Sequence, residues 1–485
     1  MYSEIKVISE AYDQPFLNND NHALTEVDLV TCEGYISESE CLAALKMLKN
    51  SKTPGIDGIP AEFYKFFWND IKDIVLASMN YAYEKNELSL DQRRGLISLV
   101  PKKDKDRLLI KNWRPIALLT TDYKLIAKCL ALRIIKVIDK LIACDQTGYI
   151  KGRYIGENIR TVHDMISYLK QKHKSGILLL IDFEKAFDTV RWKFIDKALS
   201  TFNFGNTFRK WVQILYTNIQ SAILNNGHIS TFFSPQRGVR QGCPLSVYLF
   251  ILVAELLAIN IRANESIKGI RIKNANIKIS QLADDTSIFI DGPDSIAPIF
   301  QTLNNFSQCS GLKANIEKTK MFNIGATEFP EETMGNYTFA KEDIVLLGIT
   351  ITTNENESVD KNFAMRLKAM KNILKQWSRR KLSLKGKITV INALALSLIV
   401  YPASVLITPL NVLEEINKIL YEFLWDGKRP KIAAKIMESS VKLGGLKMPN
   451  IFLKVIAWQL TWLQRALQKP NSNWVMIVNA HFLYL

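Results

Sequence analysis

Three aspartates stand out as the residues of this sequence that could do chemistry. In "QLADDTSIFI", residues 281–290, Asp284 and Asp285 sit side by side between two apolar runs. The upstream "IKISQLA" alternates apolar and polar residues, and the downstream "TSIFI" is rich in β-branched and aromatic residues. Both read as strands, so the pair falls at the turn of a β-hairpin. An ordinary surface turn is the plain alternative, since Asp favours turns. A third carboxylate, Asp182, ends the apolar run in "GILLLIDFEKAFDTV", which reads as a short buried strand. Asp182 and Asp284 are 102 residues apart, so only a fold that pairs these strands brings them together, as neighbouring antiparallel strands of one sheet would. Carboxylates that converge suit Mg²⁺, which takes oxygen ligands and is commonly held by one or two carboxylates plus substrate phosphates. Two such ions are the apparatus of phosphoryl transfer.

The elements that must position these residues belong to a large folded chain. It has 485 residues, 48% hydrophobic and 23% charged, which is a globular composition with room for two to four structural units. Residues 1–35 are polar and read as a loose arm or a truncated linker. Ser37 begins an amphipathic helix with acidic residues in its first turn. The breaker "KTPGIDG" ends it, and a second helix starts near Ala61. "GLISLVPKKDKDRLLIKNWRPIALL" reads as strand, basic loop, strand, followed by a long helix from Asp122 to Leu141. Pro244 in "RQGCPLS" is placed early in a helix, where Pro is tolerated. A helix is expected to contain "FQTLNNFSQCSGLKANIEKTK", and "IVLLGITI" reads as one strand.

The net charge of +16 points to a polyanionic partner, nucleic acid before a membrane surface. From Lys361 to Lys387 every charged residue is basic, in a stretch of helical pattern. A solvated helix face mixes signs, so this run favours a surface that tracks phosphates. The apolar run Val390–Ile407 contains Asn392, two Ser and Pro402 and reads as a buried helix, not a membrane span. The opening "MYSEIKVISEAYDQPFLNNDN" lacks the basic start and apolar core of a secretion signal. Cys32, Cys41, Cys129, Cys144, Cys243 and Cys309 form no C-x-x-C pair, which supports neither a disulfide framework nor a zinc knuckle.

Taken in order, these segments resemble the reverse transcriptases of non-LTR (LINE-type) retrotransposons. "KTPGIDGIPAEFYKFFW" is similar to the family's N-terminal extension motif, and "LVPKKDKDRLLIKNWRPIALLTTDYKLIAKCLALRI" to its fingers. "DQTGYIKGRYIGENI" resembles the next block. "IDFEKAFDTV", "RGVRQGCPLSVYLF", "LADDT", "GLKANIEKT" and "LGI" resemble the palm motifs. "WSRRKLSLKGKITVIN", "FLWDGK" and "GGLKMPN" resemble the segment after the palm. The likeness covers about residues 36–470.

The resemblance implies an α+β, right-hand polymerase fold with fingers, palm and helical thumb. Its divisions are an arm at 1–35, extension motif and fingers at 36–165, palm at 166–355, basic thumb at 356–440 and the start of a further C-terminal region at 441–485. It implies that Asp182 and Asp284 bridge two Mg²⁺ ions, with Mn²⁺ as the substitute metal and the Phe183 carbonyl as a further ligand. Asp285 becomes the third carboxylate, nearer the primer end. Where the family has an aromatic before the Ala of this motif, this chain has Leu282. Phe187 resembles the steric gate under the incoming sugar, and an ordinary core Phe is its other reading. Lys102, or Lys103 in its place, and Arg114 resemble the residues that clamp the triphosphate. Gln241 and Gly242 would approach the nascent base pair, and Lys318 would protonate the leaving pyrophosphate. Arg379, Arg380, Lys381 and Lys385 would hold nucleic acid.

The partners implied are an RNA template (the element's own transcript), a DNA primer or target, and dNTPs, with no membrane and no small-molecule cofactor beyond metal. Location is expected in nucleus and cytoplasm as a ribonucleoprotein, without secretion. Three rivals are a decayed or domesticated RNA-binding copy, a group II intron maturase-like protein, and a basic scaffold. The intact carboxylates speak against the first and last, and the segment from "WSRRKLSLKGK" to "GGLKMPN" against the second. No nuclease motif accompanies the polymerase motifs, so the chain is expected to be a fragment or truncated copy.

Overall fold

The computed structural model describes Phe16 and residues 23–103, 105–330, 338–352 and 354–482. Helices and sheets are mixed along the chain, an α+β arrangement. β1 (Arg94–Pro101) and β2 (Trp113–Leu119) form the hairpin read from the sequence; β3 is Ser175–Ile181, and β4 (Gln220–Asn225) and β5 (His228–Ile229) follow it. A short hairpin, β6 (Ile270–Ile272) and β7 (Ala275–Ile277), precedes β8 (Ile279–Leu282) and β9 (Asp285–Ile290). β10 (Lys320–Gly325), β11 (Thr338–Phe339), β12 (Asp343–Leu346) and β13 (Ile349–Thr352) complete the strands. One sheet has the order β2-β1-β4-β5 and a second the order β11-β10-β3-β9-β8. In the second, β3 runs antiparallel to both β9 and β10.

Each face of that second sheet meets its own core. Ile177, Leu179, Ile181, Ile288 and Ile290 point into one buried cluster, which also holds helix Thr121–Leu141 and helix Ser246–Ala263. Leu178, Phe289, Phe322 and Ile324 point into the other, with helix Gly156–Gln171 and the helices beyond residue 355. A strand covered on both faces must be apolar at every position, which is why "ILLLI" shows no alternation.

The cap at Ser37 is as expected: its side chain accepts from Glu40 N–H, and Glu40 reciprocates, opening helix Glu38–Met47. The "PGIDG" segment docks on the end of β2. A side chain at Gly55 would lie 2.4 Å from Thr120 N, and Thr121 Oγ1 donates to Ile59 O at 2.7 Å.

Several expectations are corrected. Residues 23–35 are no loose arm: helix Glu26–Cys32 is capped by Thr25 and Asp28, and Arg133 donates to the carbonyls of Cys32, Gly34 and Tyr35. Phe16 is buried edge-on against Phe306; the rest of 1–22 lies outside the described residues. The division at 165/166 falls inside the continuous helix Gly156–Gln171. The helix after the Asp pair ends at Ser310, where Gly311 turns left-handed at φ +83°, so "GLKANIEKT" is a loop. "IVLLGITI" is two strands, because Leu347 and Gly348 take φ +48° and +78° and fold β13 back on β12. Pro244 lies in the turn before helix Ser246–Ala263, not inside it. Val390–Ile407 is a broken succession of α, π, 3-10 and α segments. Among the described residues one helix, Ser246–Ala263, is long and apolar enough to cross a membrane, and 67% of it is buried inside the protein.

Candidate active site

The sheet brings the three aspartates together as the sequence required. The last registered pair of β3 and β9 is Ile181 with Thr286, so Asp182 emerges beside Asp285. Leu282 pairs with Asp285, which makes Ala283 and Asp284 a two-residue turn. Such turns need positive φ, and Ala283 takes +55°. For a residue with a Cβ this costs roughly 1–2 kcal/mol, so neighbours must hold it there. On the other flank of Asp182, Asn315 N–H donates to its carbonyl at 2.7 Å and Glu184 N–H to Lys313 O at 2.9 Å. Phe183 faces Ala314 across this bridge, and neither of these bonds uses its own carbonyl.

The electrostatics are those of crowded carboxyls with one exposed lysine beside them. Asp182 Oδ2 is buried and accepts no hydrogen bond. The cation nearest to it is Lys318, whose Nζ lies 3.5 Å away on a largely exposed side chain. Burial, then the charge of Asp182, raises the Asp284 carboxyl above its ordinary range. Asp285 is pushed up to about 6 by lost hydration, then by Asp284 and Asp182. Mutual repulsion of this kind is relieved by a divalent cation. Among the described residues no three His, Cys, Asp or Glu side chains form a ready metal cage. An open carboxylate pair fits Mg²⁺, which completes its shell with waters and substrate phosphates. Asp182 and Asp284, with the Phe183 carbonyl beside them, are the donors available.

A second group of predicted residues gathers next to the first. After Asp182 the chain turns through Lys185 (φ +48°) into the one-turn helix Ala186–Thr189. The Phe187 ring stacks on the buried Phe250, centroids 4.4 Å apart and planes 21° apart, and the residue is partly buried. One ring face of Phe187 thus packs in the core, and part of the residue reaches solvent. Residues 238–241 zip onto this helix. Gly238 N–H donates to Val190 O and Val239 N–H to Phe187 O, both at 2.7 Å, and Gln241 Nε2 donates to Asp188 Oδ1 at 2.9 Å. Gly242 has φ +118°, and a Cβ there would lie 2.6 Å from the Ala117 carbonyl, so this close approach requires glycine. Ala117 N–H donates to Gln241 O at 2.7 Å, which ties β2 to the same loop.

Arg114 is exposed on β2, three residues or about 10 Å along the strand from Ala117. Lys102 sits across that hairpin, its N–H on Asn112 O and its Nζ on Lys111 O at 3.0 Å, with Lys103 exposed beside it.

Sequence reasoning missed three residues of this region. Asp188 fixes Gln241. Arg240 is buried; its guanidinium donates to Arg93 O and Gln220 O and lies 5.2 Å from the Tyr123 ring centre. Gln146 is fully buried against Ala283. The acid six residues after Asp182 was a visible signal for the first; the others lie in quoted motifs whose composition says nothing of burial.

The basic run divides. Lys361 pairs with Asp343 and Lys371 with Glu415 at the surface, and buried Lys387 pairs with Asp426 and the Leu424 carbonyl, so Lys387 serves the fold. Arg366 donates to Asn362 O and Gly348 O. Arg379, Arg380, Lys381 and Lys385 are exposed around the break between helix Glu355–Ser378 and helix Leu384–Val390, with Arg380 over the Trp377 ring at 4.4 Å.

Residues 100–351, just over half of the chain, match the family described as reverse transcriptase (RNA-dependent DNA polymerase). The chain is 29% identical over 454 residues to the uncharacterized 149 kDa protein of transposon TX1 from Xenopus laevis, covering 92% of this chain and 34% of that protein. It is 25% identical over 302 residues to a retrovirus-related Pol polyprotein from a type-1 retrotransposable element R2 of Popillia japonica, covering 60% of this chain and 40% of that one. A third relative, the Pol polyprotein of the type-2 element R2DM of Drosophila melanogaster, is 27% identical over 300 residues, 61% and 27% of the two chains. The chain thus spans between about a quarter and two-fifths of the length of these relatives. The profile match, the order of the motifs and the sheet that joins Asp182 to the Asp284–Asp285 turn agree: the chain belongs to the reverse transcriptase family, in its non-LTR, LINE-type branch.

Proposed function

We propose that this chain is an RNA-directed DNA polymerase, extending a DNA primer with dNTPs on an RNA template. The observation that carries the reading is the crowding of three carboxyls where the end of β3 meets the Ala283–Asp284 turn: Asp182 Oδ2 accepts no hydrogen bond and has the exposed Lys318 as its ion partner at 3.5 Å, and the carboxyls repel one another. Asp182, Asp284 and the Phe183 carbonyl would hold two Mg²⁺ ions, with Mn²⁺ as substitute. When bound, such ions lower the pKa of an attacking hydroxyl and neutralise charge on transferring phosphates.

The remaining residues bind, orient and select. Phe187, backed by Phe250, presents a rigid ring to the sugar and leaves no room for a 2′-hydroxyl. Gln241, fixed through Asp188, and the side-chain-free Gly242 form the surface under the nascent pair. Lys102 and Arg114 grip the triphosphate from the β1–β2 hairpin. Lys318, whose Nζ lies 3.5 Å from Asp182, would be the proton donor to pyrophosphate. In right-hand terms the β11-β10-β3-β9-β8 sheet is the palm, the β1–β2 hairpin with the "PGIDG" segment the fingers, and the helices from Glu355 the thumb.

The test is extension of oligo(dT) on poly(rA) with dTTP and Mg²⁺. Steady incorporation that EDTA stops is expected. No incorporation with Mg²⁺ or Mn²⁺, by protein that binds the template–primer, would refute the proposal.

A further inference from the structure

We propose that Gln146 is a positioning residue for the metal-holding turn, gripping Ala283 and thereby fixing Asp284; this rests on the reading of Asp182 and Asp284 as metal-holding carboxylates. Gln146 lies in "DQTG", a motif to which the reaction above gives no task. Its side chain is 0% exposed. Oε1 accepts from Ala283 N–H at 2.8 Å and from Gly148 N–H at 2.9 Å, while Nε2 reaches the Ala283 carbonyl at 3.4 Å. One amide therefore engages both backbone groups of the residue before Asp284. Ala283 is buried and sits in a turn, so its N–H and C=O have neither a ladder partner nor solvent, and a buried amide needs a partner. It also holds a left-handed φ of +55° without being glycine. A side chain that pairs with both of its groups favours that conformation over its alternatives.

The grip is itself anchored. Gln146 and Gln281 form a parallel bridge, with Thr147 N–H on Gln281 O at 2.8 Å and Gln281 N–H on Asp145 O at 2.7 Å. Thr147 Oγ1 and Asn158 Nδ2 also donate to Gln281 O. Residues 145–148 thus form a short extra edge beside β8. The approach is close enough that a Cβ on Gly148 would lie 2.6 Å from Ala283 N, so that position excludes a side chain. Asp145 in turn accepts two bonds from Arg262, which also pairs with fully buried Glu255, both on helix Ser246–Ala263. The turn carrying Asp284 and Asp285 is clamped from outside its own hairpin to a core helix.

Gln146→Met keeps the volume and removes the hydrogen bonds. Gly148→Ala pushes the clamp off from the backbone side and serves as the second variant. Two readouts need no catalysis: amide hydrogen exchange of the segment 281–286, and Mn²⁺ binding to the free protein followed by electron paramagnetic resonance. In both variants exchange at 281–286 is expected to quicken at least about tenfold, while β3 exchanges as in wild type. Mn²⁺ affinity is expected to weaken about five- to tenfold. Ala283→Gly, which removes the steric cost of the turn, is expected to restore part of the Mn²⁺ affinity of Gln146→Met.

Unchanged exchange in both variants would overturn the clamp, and faster exchange with unchanged Mn²⁺ affinity would overturn the positioning role. A wild-type protein that binds Mn²⁺ but extends no primer would refute the polymerase reading and leave this inference standing. A wild type that binds no Mn²⁺ would overturn both.

Discussion

Asp285 illustrates how the site sets function against stability. Its carboxyl is raised to about 6 in the folded chain by lost hydration and by Asp284 and Asp182. A raised carboxyl means that the folded state binds a proton more readily than the unfolded one, so the ionised form is a net cost above that pKa. Asp285→Asn is therefore expected to raise the melting midpoint of the metal-free protein at pH 7.5, by on the order of a degree. The gain should shrink as pH falls toward 4, where the wild-type carboxyl is protonated in the fold. Melting curves at several pH values check this, and a gain that is the same at pH 7.5 and 4 would contradict it. Phe187 makes the second residue-scale case. Phe187→Ala is expected to lower discrimination against ribonucleotides at least about tenfold, and to cost roughly 2–3 kcal/mol because the ring also packs on Phe250. Stability loss with unchanged selectivity, in single-nucleotide incorporation, would leave Phe187 a core residue only.

At the scale of elements, the loop 238–242 and the turn 283–284 both depend on contacts distant in sequence. Gly242→Ala forces a Cβ against the Ala117 carbonyl at a φ that L-residues rarely adopt. Steady-state kinetics should show the KM for dNTP rising at least about tenfold with template–primer affinity unchanged; an unaltered KM would mean that the loop does not face the nucleotide. The same elements mark what the sequence could reveal. Asp182 at a strand end, the Asp pair at a hairpin and the strand–loop–strand at 94–119 were legible because strand patterning and turn chemistry are local. The split of "IVLLGITI" was not, because the turn uses Leu347 at φ +48°, which no composition announces. The helix end at Gly311 was readable in principle, since Gly is the usual left-handed cap. The packing of residues 23–35 was hidden because it depends on Arg133, about a hundred positions away. Gln146 was hidden for the same reason: a glutamine in a polar stretch gives no sign of complete burial.

For the whole molecule, one sheet divides two cores, with Asp182 and the 283–284 turn at one of its ends. The basic character of the chain is then partly structural. Lys361, Lys371 and Lys387 have carboxylate partners, whereas Lys368, Lys375, Arg379, Arg380, Lys381 and Lys385 are exposed, the last four around a break between helices. Neutralising those four is expected to weaken template–primer binding irrespective of base sequence. Each lost phosphate contact should flatten the slope of log K against log salt by about 0.7–0.9. Affinities at four or five salt concentrations measure this, and an unchanged slope would remove these residues from the nucleic-acid surface without touching the site at Asp182.

The central claim is that Asp182 and Asp284 do the chemistry and not the binding. Its most direct test pairs two measurements on Asp284→Asn: template–primer affinity, and single-turnover incorporation of dTTP on poly(rA)/oligo(dT) at saturating Mg²⁺. Loss of a metal-holding carboxylate removes several kcal/mol of transition-state stabilisation, and each ~1.4 kcal/mol is tenfold in rate. The account predicts incorporation reduced at least about a hundredfold with affinity within a few-fold of wild type. Incorporation within a few-fold of wild type would contradict it.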